Sequence, residues 1–261
     1  VAEVGSAVTL FKPGDEVFYA GDITRPGSNQ QLQLVDERIV GRKPRRLDFA
    51  HAAALPLTAI TAWESLFDRL GFAQQAEGTV LIVGGAGGVG SIAIQLAKQA
   101  GLTVIATASR PESAAWVRGL GADQVVDHRQ PLRAQLAGEV DAVAIFSTTE
   151  PYFVQLPELL RAQGRAVSIV ETAGPLDLGP LKNKSLGFSW EFMFTRSSYQ
   201  TPDMIEQHKL LNRVAELVDA GTLRSTVSKQ LGPIRAETVR EAHTAIESGR
   251  AIGKIVIAGW D

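Results

Sequence analysis

Gly85, Gly87 and Gly90 stand in the spacing G-x-G-x-x-G, and that spacing has a definite chemistry. The first glycine permits a tight turn, the second lets a pyrophosphate come against the backbone, and the third lets a helix pack closely on a strand. The intervening Gly88 and Val89 add backbone N–H groups at the positive end of the helix that follows, where a phosphate is stabilised. In this class of site, an acidic side chain about 20 residues further on holds a ribose 2′-hydroxyl. Here that place is taken by Ala108, followed by Ser109 and Arg110. A hydroxyl beside a guanidinium fork suits a 2′-phosphate, so the pattern predicts NADP rather than NAD. The plainer reading is that Ser109 caps a helix and Arg110 is solvated.

These residues need a particular scaffold. Val80–Val83 is an unbroken apolar run, as suits a strand buried on both faces of a parallel sheet. After the glycines, Val89, Ile92, Ala93, Leu96 and Ala97 recur at helical period until Gly101. Further strands are expected at Val104–Thr107, Gln124–Val126, Ala142–Phe146 and Ala166–Val170, with a helix near Phe153–Arg161. In SRPE, Ser109 is the expected N-cap, with Pro111 in the first turn and Glu112 at the third position. Alternating strands and helices predict a doubly wound parallel sheet. Ligands of such a sheet lie outside the carboxyl ends of its strands. That rule makes Ser147, Thr148, Val170 and Glu171 candidates, although strand-end turns favour Ser and Thr without any ligand.

Outside this core, short apolar pieces at Val17, Tyr19, Leu32, Leu34 and Val40 make the first portion β-rich. Asp48 is the expected cap of FAHAAAL, Pro56 interrupts or restarts that helix, and a second helix runs through Trp63 and Leu66 to Gly71. Leu186–Phe194 reads as a final sheet strand, since large apolar side chains alternate along it. The tail predicts a helix capped at Thr201 and Pro202 and running to about Gly221, a strand near Thr226, a helix over Thr238–Ile246 and the strand Lys254–Ile257.

The whole chain has 261 residues, 45% of them hydrophobic and 21% charged, enough for two modest domains. A net charge of −2 gives no basic face for nucleic acid or for a membrane surface. No apolar run is long enough to span a bilayer and the N-terminus has no signal-like segment, so the expected location is the cytoplasm. There is no cysteine, which removes disulfides and every cysteine-ligated metal site, and the four histidines are scattered.

The order FKPGDEV, AALPLTAITAWESL, LIVGGAGGVGSIAIQLAK, GADQVVDH and GKIVI resembles the medium-chain dehydrogenase/reductase superfamily, on its zinc-independent quinone-oxidoreductase-like or zinc-type-alcohol-dehydrogenase-like side. The resemblance implies an α/β fold: a Rossmann domain plus a GroES-like β-rich catalytic domain, the latter partial because the chain enters it late. The implied division is 1–58 catalytic, 59–200 Rossmann and 201–261 catalytic again. It also implies that Thr61 lies beside the nicotinamide, that Lys254 aims at the pyrophosphate and that His128 lies near the adenosine. Leu57 occupies the place where zinc-dependent relatives carry a cysteine, so a metal-free site is expected. Tyr19 and Asp22 are the polar candidates for the substrate pocket, although both suit an ordinary strand and turn.

The activity implied is NADPH-dependent hydride transfer to a small carbonyl, enone or quinone. Alternatives are a zinc-type alcohol dehydrogenase and, from another class, an NADPH-binding structural or RNA-binding protein. Two further expectations concern assembly. Leu186–Phe194 at a sheet edge predicts a homodimer. The late start predicts that Val1–Arg46 is less compact than the Rossmann core, and that a longer polypeptide is the active form.

Overall fold

The structure, a computed structural model, describes residues 1–260. Packing divides the chain into two compact units: Thr61–Phe192 forms one, and Val1–Ile60 together with Met193–Asp261 forms the other. The sequence had suggested breaks after residues 58 and 200.

The two-part unit begins with β1 (Val17–Tyr19) and β2 (Val40–Arg42), which pair antiparallel with Tyr19 opposite Val40. Of the apolar pieces expected to be strands, only these two form. Leu32 and Leu34 lie outside any strand and are exposed. Helix α1 (Phe49–Ala53) starts as expected at Asp48, whose carboxylate accepts the His51 N–H at 2.7 Å. Pro56 then opens α2 (Pro56–Trp63), which passes into a π-helical turn over Glu64–Arg69.

The central unit follows with β3 (Thr79–Val83), α3 (Gly88–Gln99), β4 (Thr103–Thr107), α4 (Pro111–Gly119), β5 (Gln124–Val126) and β6 (Val140–Ile145). Then come α5 (Glu150–Phe153), α6 (Leu156–Leu159), β7 (Leu160–Ser168) and β8 (Gly187–Trp190). All six strands are parallel, in the order β5-β4-β3-β6-β7-β8. This is the doubly wound order in which two mononucleotide-binding halves meet between the first and fourth strands, here β3 and β6. Val80, Leu81, Ile82 and Val83 have no exposed surface, as their unbroken apolar run requires. Gly101 takes a left-handed φ of +93° just past α3 and ends it.

Four expectations in this unit need correction. The cap of α4 is Arg110, not Ser109, and its reciprocal partner is Ser113, not Glu112. The Arg110 N–H donates to Ser113 Oγ at 3.2 Å, and that hydroxyl donates to the Arg110 carbonyl at 3.0 Å. Pro111 is the first helical residue, where its fixed φ and missing N–H cost nothing, and this moves the cap to the residue before it. The helix expected over Phe153–Arg161 is two short pieces, because Pro151 and Pro157 each open one. Strand β7 consequently starts at Leu160, with a register irregularity opposite Val140–Ala142. Strand β8 stops at Trp190 instead of running to Phe194. There Glu191 turns inward, its side chain fully buried and paired with Arg69 Nε at 2.8 Å.

The chain then returns to the first unit through α7 (Thr195–Ser198), α8 (Glu206–Asp219), β9 (Val227–Leu231), α9 (Ala236–Glu247) and β10 (Lys254–Ile257). Helix α8 begins at Glu206, not at Thr201: residues 202–205 form turns in which Met204 N bonds Thr201 O and Glu206 N bonds Asp203 O. Strands β9 and β10 pair parallel. Helix α8 backs β2 closely, since a Cβ on Gly41 would lie 2.4 Å from Leu211 Cβ. His208 Nδ1 meets the Val40 carbonyl at 2.6 Å, and Asn212 Oδ1 accepts the Arg42 N–H at 2.9 Å. The helix thus satisfies backbone groups of β2 that no strand pairs.

Candidate functional site

The glycine loop joins β3 to α3, and each glycine there has a distinct constraint. Gly84 turns the chain with φ +79°, and its N–H donates to Thr107 Oγ1 at the end of β4, at 3.0 Å. A Cβ on Gly85 would come within 2.9 Å of Ala106 Cβ, and one on Gly90 within 2.3 Å of the Gly84 carbonyl. Those two glycines serve internal packing. Gly87, the N-cap of α3, is different: a Cβ there would meet only the Gly84 oxygen, at 3.3 Å, and would otherwise point into open space. Its missing side chain therefore leaves open space in front of the helix. The first N–H of the helical ladder is that of Ser91, bonded to Gly87 O at 2.9 Å, so the N–H groups of Gly88, Val89 and Gly90 precede the ladder at the helix N-terminus. These features fit a pyrophosphate.

Apart from Thr61, the other candidates of this unit follow the carboxyl ends of the sheet's strands. The loop touches the end of β6, since a Cβ on Gly84 would lie 3.1 Å from the Phe146 carbonyl and 3.6 Å from Ser147 Cβ. Beyond β4, Ala108 is buried while Ser109 and Arg110 are half-buried, and the α4 cap leaves the Ser109 side chain out of the capping bonds. Ser147 is hydrogen-bonded to Tyr152, whose phenol is pushed up mainly by burial. Thr148 is exposed and Val170 is 37% exposed. His128 follows β5 and is exposed, between Asp127 and Arg129. The Arg129 guanidinium bonds Asp127 and holds that carboxyl at about 2. Thr61 is buried on α2.

Three sequence candidates, Tyr19, Asp22 and Lys254, lie in the two-part unit. Tyr19 lines a cavity of about 480 Å³ with Phe11, Val17 and Val40, and burial raises its phenol. Asp22 lines an adjoining cavity of about 120 Å³ with Arg25, Gln33 and Asp36, and its carboxylate accepts the Thr24 N–H at 2.8 Å. The two cavities adjoin, since Gln33, Leu34 and Val35 line both. Lys254 opens β10, and burial lowers its ammonium below the ordinary lysine value.

Sequence reasoning passed over three residues at the sheet edge. Thr107 receives the Gly84 N–H, and Thr149 and Ser168 are fully buried hydroxyls joined at 2.6 Å. Thr149 adjoins Ser147 and Thr148 in the sequence, and that polar cluster was the available signal. A zinc ion does not fit the residues of this chain. It has no cysteine, Leu57 offers no ligand atom, and among the described residues no group of three or more His, Cys, Asp or Glu could hold a metal. Nor is any helix among them long and apolar enough to cross a membrane.

Comparison with known proteins agrees with this architecture. Residues 120–257 match the model of a family described as zinc-binding dehydrogenase. A zinc-type alcohol dehydrogenase-like protein of Staphylococcus aureus strain MSSA476 is 42% identical over 98% of this chain and 79% of its own length. Among solved structures, a Rhizobium etli CFN 42 protein described as a zinc-dependent alcohol dehydrogenase superimposes with a TM-score of 0.95 at 52% identity, over 100% of this chain and 79% of that one. The Escherichia coli quinone oxidoreductase complexed with NADPH superimposes with a TM-score of 0.83 at 25% identity, covering 98% and 78%. With its six-stranded doubly wound sheet and its glycine loop, the chain belongs to the medium-chain dehydrogenase/reductase superfamily of oxidoreductases.

Proposed function

We propose that this chain is an NADPH-dependent oxidoreductase that reduces a small carbonyl, enone or quinone without a metal. The observation that carries the reading is the open space at Gly87, at the helix N-terminus formed by Gly88, Val89 and Gly90, with Ser109 and Arg110 where an acid would select NAD. The bound coenzyme supplies the hydride. The chain's own residues bind and orient it: the loop N–H groups take the pyrophosphate, and Arg110 with Ser109 takes the 2′-phosphate. Thr61 stands beside the nicotinamide and Lys254 towards the pyrophosphate, while His128, Ser147, Thr148 and Val170 line the remaining length. Tyr19 and Asp22 are the polar groups assigned to substrate. The NADPH complex of the Escherichia coli quinone oxidoreductase supports a nicotinamide coenzyme, and the choice of NADPH rests on Ser109 and Arg110.

The reading extends to assembly. Strand β8 ends the sheet and is bonded only to β7, while Trp190 is 46% and Phe192 is 48% exposed beside it. An open edge flanked by aromatic side chains suits a two-fold homodimer.

One experiment tests the activity: NADPH and NADH oxidation measured against a panel of quinones and enones, with and without a chelator. NADPH turnover that the chelator leaves unchanged is expected. Turnover that requires added zinc, or that prefers NADH, would overturn the reading.

A further inference from the structure

Thr149 and Ser168 are both 0% exposed, yet they lie at the carboxyl edge of the sheet, just after β6 and at the end of β7. Buried hydroxyls need partners, and the protons can be traced. Thr149 Oγ1 donates to the Val170 carbonyl. The contact of 2.6 Å between Thr149 Oγ1 and Ser168 Oγ must then be donated by Ser168. The other acceptor near Ser168 Oγ, the Ile145 carbonyl, is at 3.4 Å. The order is Ser168 to Thr149 to Val170 O.

A second bond holds the same loop, since the Ala173 N–H donates to Glu150 Oε1 at 2.9 Å. Two consecutive residues, Thr149 and Glu150, thus pin the segment 169–173. Val170 itself is partly exposed, and its carbonyl oxygen keeps a second lone pair.

In a doubly wound sheet each half takes one nucleotide. The glycine loop and Arg110 belong to the half built on β3, β4 and β5, so the half built on β6, β7 and β8 is left for the other nucleotide. We infer that Thr149 and Ser168 are positioning residues for the nicotinamide half, holding the Val170 carbonyl where it accepts an N–H of the carboxamide. This rests on the coenzyme reading above.

The test is equilibrium binding of two probes to the full chain: NADPH, and 2′-phospho-ADP-ribose, which lacks only the nicotinamide. Thr149→Val keeps the shape and removes the hydroxyl. It should weaken NADPH about tenfold, the effect of roughly one hydrogen bond and a freed carbonyl, and leave 2′-phospho-ADP-ribose within about twofold. Thr149→Ser should restore NADPH binding. Ser168→Ala should show the same split more weakly, and it carries the test if Thr149→Val does not fold. Equal losses for both probes, or no loss for either, would overturn the inference and make the pair a structural clasp only. If the parent chain binds neither probe, the coenzyme reading falls and takes the inference with it.

Discussion

The side chain that decides between coenzymes is Arg110. Its backbone caps α4 through Ser113, so Arg110→Ala leaves the capping bonds in place and removes the guanidinium. NADPH binding should weaken by about 1.5–3 kcal/mol, the worth of a hydrogen bond to a charged group, while NADH binding stays nearly unchanged. Calorimetric titration of both coenzymes checks this, and equal losses would show that Arg110 does not read the phosphate. Lys254 gives a pH test. Burial lowers its ammonium below 10.5, so the folded state binds fewer protons than the unfolded state between the lowered value and the ordinary one. Stability contributed at this site therefore rises with pH through that window, and the burial penalty is fully present below it. Lys254→Met should melt higher than the parent at neutral pH, with the gain shrinking as pH approaches 10.5. If the lysine also serves the pyrophosphate, the same variant binds coenzyme less tightly. A melting difference that does not change with pH would remove burial of the charge as the cause.

At the level of elements, the glycine loop separates packing from binding. Gly87 has an ordinary extended backbone (φ −72°, ψ 177°), and a Cβ there would meet only the Gly84 carbonyl oxygen, at 3.3 Å. Gly87→Ala should fold with little change in melting temperature and lose coenzyme affinity. Gly90→Ala forces a methyl against backbone at 2.3 Å and should lose stability whether or not coenzyme is present. Thermal melts with and without NADPH distinguish the two variants, and identical behaviour would contradict these assignments. This loop was legible in the sequence because both its signals are local: an apolar run before it and a helical period after it. Strand β8 was only half legible, since apolar alternation continues to Phe194 while the strand stops before Glu191, which is buried and paired with Arg69. Leu32 and Leu34 alternate like strand residues but form no strand. The Thr149–Ser168 contact, and the hold of His208 and Asn212 on β2, join residues 19 to 170 positions apart. Nothing in a local pattern marks such pairs.

For the whole molecule, the proposed pairing through β8 predicts a species of about twice 27.9 kDa in sedimentation equilibrium. Trp190→Glu should convert it to monomer, because a charge would be buried at the new edge. A parent chain that sediments as a monomer at micromolar concentration would exclude this interface. The Arg69–Glu191 ion pair has a different consequence at this scale. Its partners lie 122 positions apart, close to the two points where the chain leaves and re-enters the two-part unit. Closing a loop of that length in an unfolded chain costs on the order of 4 kcal/mol in entropy. When the central unit folds, that cost is met by its own core, and Arg69 and Glu191 are already side by side. If the inserted unit folds first, the two halves of the other unit are expected to meet at the effective concentration of tethered neighbours instead of as distant ends of a coil, and destabilising the inserted unit should then slow folding of the unit it interrupts.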